Sequence, residues 1–493
     1  MGLIDVLEPV IVRVPSVTRP KKHVPFKKKL YWTLGVLLIY FVLTNVTIYG
    51  VRVEGDLFGQ FRSVLAGEQG SILHLGIGPI VTGAIVMQLL DGSNMLPFDT
   101  NEPRGQALYQ GSQKTLVILM SILTAAPMVA SGFLVPRGDM GLPAEMMAFV
   151  VFAQVAAGGI LILYLDEIIS KWGIGSGIGL FIIAAVSQQL IGGIFDWSTE
   201  GGVAGIAELS TGLIFRWYQI FSGQFDPGFA LTTADGFWFL LTYGGQILFV
   251  FTTLLVFAMV VYAESVRVEI PLSHSRVKGA RGRYPVKLIY ASVLPLIFVR
   301  AVQANIQMFG QMLYSQMEDP PWWYGSYDEA TGQATSGLMY YLQPIHSPID
   351  WMWWLPVGPS QEPWQVLIRL GVDMTFLVVG GAIFAVFWVQ TANMGPDAVA
   401  QQIQRSGMQI PGFRQNPAVV EKVMDRYIPQ ITVMSGILLG VLAVLANMLG
   451  TIGNVTGMGL LLTVSITYKL YEEIAEEQMM EMHPMMRQMF GKE

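Results

Sequence analysis

The residues able to do chemistry in this chain are sparse, and their spacings suit no catalytic site. Five histidines, His23, His74, His274, His346 and His483, stand far apart and never pair at i, i+4, so no helical metal site is expected. Cysteine is absent, which removes disulfides, thiolate metal sites and cysteine nucleophiles together. No Ser-His-Asp set, His-Glu-x-x-His motif or membrane-embedded aspartate pair is present, so an intramembrane protease lacks its groups. Asp166 and Glu167 are adjacent, and helix neighbours do not share a face, so the pair reads as a solvated helix end. The run Gly173-Ile174-Gly175-Ser176-Gly177-Ile178-Gly179 looks like a nucleotide loop, yet no Lys-Ser or Lys-Thr follows and no strand precedes it. Close helix packing through Gly173 and Gly177, and through Gly175 and Gly179, is the expected role.

A charge at the bilayer centre costs roughly 2.5 to 3.5 kcal/mol or more, so intramembrane charges mark ion coupling. Only Arg300 is expected to lie deep; Asp166, Glu167 and Glu264 fall at helix ends and Asp373 in the first turns of a span. A proton- or sodium-coupled carrier would hold a carboxylate near the middle, which weighs against that class. Thr82, Gln88, Gln113, Gln154, Gln188, Gln246, Gln303, Asn305 and Gln307 remain within spans. Singly they are interhelical hydrogen-bonding groups, and together they suit the lining of a path.

The elements that position these residues are membrane spans. The chain is 53% hydrophobic and 13% charged, against about 25% charged in soluble domains, so it is an integral membrane protein. No basic surface interleaved with aromatics suggests a nucleic-acid partner. Apolar windows long enough to cross about 30 Å of hydrocarbon fall near 30–49, 74–90, 115–135, 146–165, 174–195, 237–262, 286–313, 366–389, 430–449 and 455–471. The basic run Lys21, Lys22, Lys27, Lys28, Lys29 leads into the first with no small-residue cleavage pattern, so that span is expected to stay as an anchor.

An even number of spans puts both termini on one side. With that side cytoplasmic, only Arg52, Arg62, Arg137, Arg216 and Arg369 of the 29 Lys and Arg lie outside, and Arg300 lies within a span, as the positive-inside rule requires. Two long cytoplasmic loops result, 264–287 and 393–429. The external loops carry the acidic residues, and Trp322, Trp323, Tyr324, Trp351, Trp353 and Trp354 cluster before the eighth span as interfacial anchors. The external loop 196–236 separates five spans from five, and an odd number per half implies opposite orientations, an inverted repeat.

The organising stretch is Leu75 to Leu90. It is apolar, yet it opens with Gly76, Gly78 and Pro79, and Pro79 suits a first helical turn, so the helix is expected to start inside the membrane. The segment before it, Leu57 to Leu73, carries Gln60, Arg62, Glu68 and Gln69 and is too polar to span. Irregular backbone at that depth survives only in protein or beside an aqueous cavity, so a pore is the first expectation.

Several strings now become specific: LGIGPIVTGAIVMQLL (75–90), QGSQK (110–114), YLDEIISKWGIGSGIGLFI (164–182), VVYAESVRVEIPLSH (260–274), RYPVKLIYAS (283–292), ANIQ (304–307), RYIPQITVMSG (426–436) and LLTVSITYKLYE (461–472). In order and along the whole chain they resemble the archaeal SecY family, central subunits of the Sec protein-conducting channel. The resemblance implies an all-α membrane protein of ten transmembrane helices in two inverted five-helix halves, opening like a clamshell. The divisions would be a cytoplasmic segment 1–29, a first half 30–195, a hinge loop 196–236, a second half 237–472 and a cytoplasmic tail 473–493.

Carried over string by string, a pore ring falls on Ile77, Val81, Ile178, Ile182, Ile297 and Leu462. A plug falls on 57–73, with Gly76 and Gly78 expected to let it pass close to the backbone. A polar cluster across a lateral gate falls on Thr82, Gln113 and Asn305. Ribosome docking falls on Arg276, Lys278, Arg281, Arg283 and Arg414. The resemblance also implies SecE-like and Sec-beta-like small membrane subunits, the ribosome, signal sequences, nascent polypeptides and lipid as partners. It implies no cofactor, no covalent chemistry, and a cell-membrane location with both termini cytoplasmic. Arg300 stands where the family pattern leads one to expect a small apolar residue, and the Trp-rich segment 314–363 is longer than the family needs. The rival classes are an inverted-repeat secondary transporter, which lacks its mid-membrane carboxylate, and a membrane acyl- or phosphotransferase, which lacks a nucleophile and base.

Overall fold

The computed structural model describes residues 11–482 except 12, 23, 54–61, 93–94, 96–102, 131–133, 138–142, 199–208, 225–230, 243, 275–280, 318, 329–332, 356–357, 393, 406–407, 410–416 and 454. In chain order these residues form α1 (Phe26–Asn45), β1 (Val51–Val53), α2 (Arg62–Leu65), α3 (Gly78–Gly92), α4 (Pro103–Ala130), β2 (Leu134–Pro136), α5 (Ala144–Trp172) and α6 (Gly177–Phe195). There follow α7 (Leu213–Phe221), α8 (Ala234–Leu241), α9 (Ile247–Ser265), β3 (Arg267–His274), β4 (Arg281–Lys287), α10 (Leu294–Gln316), α11 (Gly337–Leu342), α12 (Pro363–Thr391), α13 (Pro396–Arg405), β5 (Met408–Gln409), α14 (Pro417–Leu449) and α15 (Gly457–Met482). The strands are short: β1 pairs antiparallel with β2, and β3 lies between β4 and β5.

Ten of the described helices, α1, α3–α6, α9, α10, α12, α14 and α15, correspond in order to the ten apolar windows. By length and apolarity alone, stretches of six of them can cross a membrane: Arg104–Ala130, Ala144–Trp172, Gly177–Phe195, Ile247–Ser265, Pro363–Thr391 and Val420–Leu449. Helix α3 is apolar but short, because it begins inside the fold. Phe26 N–H donates to Glu481, and Lys29 Nζ lies 2.6 Å from Glu477, so the start of α1 and the end of α15 meet on one face, the terminal face.

Several boundaries differ from the sequence expectation. The sixth window is two helices, α8 and α9, broken at Thr242–Gln246 where Gln246 takes φ 53°; the glycines Gly244 and Gly245 before it favour a break. The seventh helix starts at Leu294, because Val286 and Lys287 end β4 instead. Within the expected plug segment 57–73 and the stretch up to α3, Arg62–Leu65 is helical, 66–77 are mainly turns, and 57–61 lie outside the described residues.

Close packing uses glycine where backbones meet. A Cβ on Gly436 of α14 would stand 2.7 Å from Gly381 O of α12, and one on Gly440 would stand 2.8 Å from Leu377 O. In α6, a Cβ on Gly177 would strike Asp166 of α5 at 2.5 Å and one on Gly179 would strike Ile466 of α15 at 2.8 Å. The glycine run therefore serves helix packing, while Gly173 and Gly175 sit in the turn before α6. The main core is a single apolar cluster drawn from α1, α3–α6, α9, α10, α12, α14 and α15.

Candidate pore and lateral gate

The site begins where the chain turns back before α3. Ala66 and Gly76 both take positive φ, 51° and 53°, and Ile77 N–H donates to Leu65 O at 2.7 Å. A Cβ at Gly76 would lie 2.1 Å from Leu65 O, so only glycine admits this approach. Gly78 is different: its nearest neighbour would be Leu65 Cδ2 at 4.0 Å, so the plug passes close at Gly76 and not at Gly78. The Tyr40 hydroxyl of α1 donates to Ala66 O at 2.9 Å and pins the same turn from the other side.

Above this turn, Ile77 and Val81 stand one helical turn apart. They join Ile182 of α6, Ile297 of α10 and Leu462 of α15 in the main apolar cluster, each at most 1% exposed. Val64 and Ala66 of the plug belong to the same cluster. Ile178, one turn before Ile182, is half-buried at its margin and lines a cavity of about 530 Å³ with Arg19, Gln113, Lys114, Asp166 and Glu167. The turn before α3 and helices α3, α6, α10 and α15 thus place these five aliphatic side chains in one apolar cluster with the plug residues Val64 and Ala66. A constriction built of such side chains offers ions no ligand.

Beside it, Asn305 Nδ2 of α10 donates to Thr82 Oγ1 of α3 at 3.1 Å, and Thr82 Oγ1 donates to Gly78 O at 2.9 Å. A cavity of about 30 Å³ adjoins the pair, lined by Leu65, His74, Thr124 and Ala304 among others, with room for a water. Gln113 is not brought to this pair. It lies eleven residues before Thr124, about three helical turns along α4, and lines the cavity that contains Ile178. Thr124 is the α4 polar side chain at the level of the pair, and a threonine in an apolar run gave no signal of that role.

The charges are more buried than their sequence context implies. Arg300, 2% exposed, faces the protein interior and not lipid. Its Nη1 is 2.8 Å from Asp373 Oδ1, Nη2 is 3.5 Å from Oδ2, and Nε reaches Met458 Sδ of α15 at 3.4 Å. Asp373 is 1% exposed and lies eleven residues into α12, deeper than the first turns expected for it. A mid-span carboxylate, which the sequence is expected to lack, is therefore present and paired with Arg300. Glu167 is also no solvated end: it is buried and lies 2.6 Å from both Lys114 and Lys171. Asp166 Oδ1 accepts from Ile178 N–H at 2.9 Å, capping the start of α6. At the end of α9, Glu264 accepts from the Ser465 hydroxyl of α15.

On the terminal face, the antiparallel β3–β4 hairpin carries Arg281 and Arg283, paired in register with Ser273 and Pro271. Its base is tied to α15, since Arg267 lies 3.1 Å from Glu472 and Lys287 also pairs with Glu472. Arg276, Lys278 and Arg414 lie outside the described residues. On the opposite face, Trp322, Trp323, Trp353 and Trp354 are exposed, as anchors would be, but Trp351 Nε1 donates to Met448 O at 2.8 Å and Tyr324 is buried. His346 lies beside them, its pKa held well below the usual imidazole value by burial and by the nearby Arg300 and Arg369.

Comparison with known proteins identifies the family. The family model described as SecY matches residues 71–471, and one described as the plug domain of Sec61p matches 38–70, beginning within α1 and overlapping the expected plug over 57–70. The chain is 61% identical over 498 residues to the protein translocase subunit SecY of Halobacterium salinarum, covering 100% of this chain and 99% of the relative. A solved structure described as that of a protein conducting channel superposes with a TM-score of 0.78 at 36% identity, covering 98% of this chain and 99% of the other. Sec61 in the canine ribosome-channel complex superposes with a TM-score of 0.74 at 36% identity over 98% and 99%. The chain belongs to the SecY family, the channel subunits of the protein translocon.

Proposed function

We propose that this multi-pass membrane protein passes unfolded polypeptides through a waist formed by Ile77, Val81, Ile178, Ile182, Ile297 and Leu462. The observation that carries this reading is that five of these side chains, from α3 and the turn before it, α6, α10 and α15, lie in one apolar cluster with Val64 and Ala66 of the plug. Branched aliphatic side chains part around a chain of any sequence and close again without holding ions. The apolar segments of a substrate leave sideways between α3 and α4 on one flank and α10 and α12 on the other, where Thr82 and Asn305 bridge by hydrogen bond across α3 and α10.

The terminal face is cytoplasmic, in the cell membrane, and the two halves 30–195 and 237–472 hinge at 196–236. Arg281 and Arg283 on β4, with Arg276, Lys278 and Arg414, meet the ribosome, and SecE-like and Sec-beta-like subunits complete the channel. The canine relative's ribosome complex supports the ribosome contact, and the positive-inside count supports the cytoplasmic placement of the terminal face. A coupled carrier is disfavoured because Asp373 is already neutralised by Arg300.

Replacing Ile182 and Ile297 by Gly is expected to raise resting ion conductance in planar bilayers, and unchanged conductance removes the ring assignment. Probes at Val81 and Ile178 should crosslink to a stalled nascent chain. Replacing Arg281 and Arg414 by Glu should weaken ribosome binding in a salt-dependent way.

A further inference from the structure

Helix α10 carries a ring residue, Ile297, and a seam residue, Asn305, and between them it carries a charge that neither role requires. Arg300 Nη1 and Nη2 both reach Asp373 of α12. Gln303 accepts from Arg300 and donates to Asp373 Oδ1 at 3.3 Å and to Leu342 O at 3.0 Å. Asp373 Oδ2 also accepts from Ile345 N–H at 3.3 Å. One turn earlier on α12, Arg369 donates to Gln343 O at 3.2 Å and Pro344 O at 2.7 Å, with its guanidinium 5.0 Å from the centre of the Tyr340 ring. The segment 340–345 is thus clipped down over both helices. Arg300 Nε contacts Met458 in the first turn of α15, four residues before Leu462.

Arg300, Gln303, Arg369 and Asp373 are all buried, and each is hydrogen-bonded to another of them or to the backbone of 342–345, a geometry that resists partial opening. The other side of α10 differs: towards α3 it is held by the neutral Asn305–Thr82 bond and by Leu65 against Ala304. We propose that Arg300 and Asp373 are positioning residues of the gate, locking α10, α12, the start of α15 and the segment 340–345 into one body. The seam then opens between α3 and the faces of α10 and α12 that pack against it, and Ile297 and Leu462 withdraw from the waist together. This assignment rests on the channel reading.

The chain has no cysteine, so introduced pairs report cleanly. An ideal Cβ at Gly380 of α12 stands 3.7 Å from Val299 Cβ of α10, within the range a disulfide spans. V299C/G380C therefore bridges the proposed body internally, and T82C/N305C joined by a short thiol crosslinker bridges the seam. In proteoliposomes holding the assembled channel, oxidising V299C/G380C should leave translocation within about twofold of the reduced protein, as for two parts of one rigid body. Bridging T82C/N305C should abolish it. Loss of translocation on oxidising V299C/G380C overturns the positioning proposal and leaves the gate standing. Full translocation with T82C/N305C bridged overturns the gate reading itself. A second arm places V299C/G380C in the uncharged R300M/D373L background and compares disulfide yield in idle channels with yield in channels holding a stalled chain. The yield should fall on engagement only when the ion pair is missing, and equal yields in both backgrounds overturn the role of the pair.

Discussion

Towards α3, helix α10 presents Asn305 to Thr82 and Ala304 to Leu65; towards α12, it presents Arg300 and Gln303 to Asp373. The first flank is neutral and borders a small cavity, and the second is ionic and closed over by the segment 340–345. Interhelical hydrogen bonds in membranes contribute about 0.6 to 2 kcal/mol, whereas removing one partner of a buried ion pair costs about 3 to 5 kcal/mol. One helix is therefore built with a weak side and a strong side, and in the gate proposed above the weak side is the one that parts. Hydrophobicity alone does not distinguish the two flanks; polar chemistry does.

The largest effect that breaks the comparison should come from Asp373→Ala, which leaves Arg300 buried and unpaired. A loss of about 3 to 5 kcal/mol is expected, read as a lower unfolding midpoint of the purified channel. If Asp373→Ala costs no more than Asn305→Ala, the two flanks are not different in kind. Gly76→Ala attacks the plug turn, where φ is 53° and a Cβ would meet Leu65 O at 2.1 Å. It should cost more than about 1 kcal/mol and raise resting ion conductance by unseating the plug. Gly78→Ala, with open space around it, should do neither.

A pH series addresses the strong side. His346 is held neutral by burial and by Arg300 and Arg369, so its folded pKa lies below the unfolded value near 6.5. The stabilisation is complete above pH 6.5 and is lost as pH falls below it, at up to about 1.4 kcal/mol per pH unit. His346→Gln should flatten that acid limb in thermal unfolding. The smallest effect belongs to the weak side: Asn305→Ala should cost only about 0.6 to 2 kcal/mol and ease gate opening, read as faster release of an apolar segment into lipid.

The ten helices were legible because span length and apolarity are local properties; the strings specific to the family carry or flank the proposed ring residues, five of which lie in one apolar cluster. Arg300 and Asp373 were legible as charges but not as partners, since 73 residues separate them and nothing local signals the pairing. Asp373 was placed too near the helix end because Pro363 and the Glu362–Gln365 capping box start α12 earlier than its apolar window suggests. Gln113 was misjudged in the same way: α4 begins at Pro103, so Gln113 lies turns away from Thr82. The break at Gln246 was hidden because apolar residues continue on both sides of it. Glu167 read as solvated because Lys114, its partner on another helix, is distant in sequence.

In the channel proposed above, Ile77 takes part in closure twice over, through its side chain at the waist and through its N–H to Leu65 O. The stopper and the aperture therefore share a fastening. Any displacement of Ile77 large enough to widen the aperture also removes the bond that seats the stopper, and reseating the stopper draws Ile77 back. Leak through the idle channel should consequently be all-or-none, in discrete bursts, with no graded trickle as the waist fluctuates.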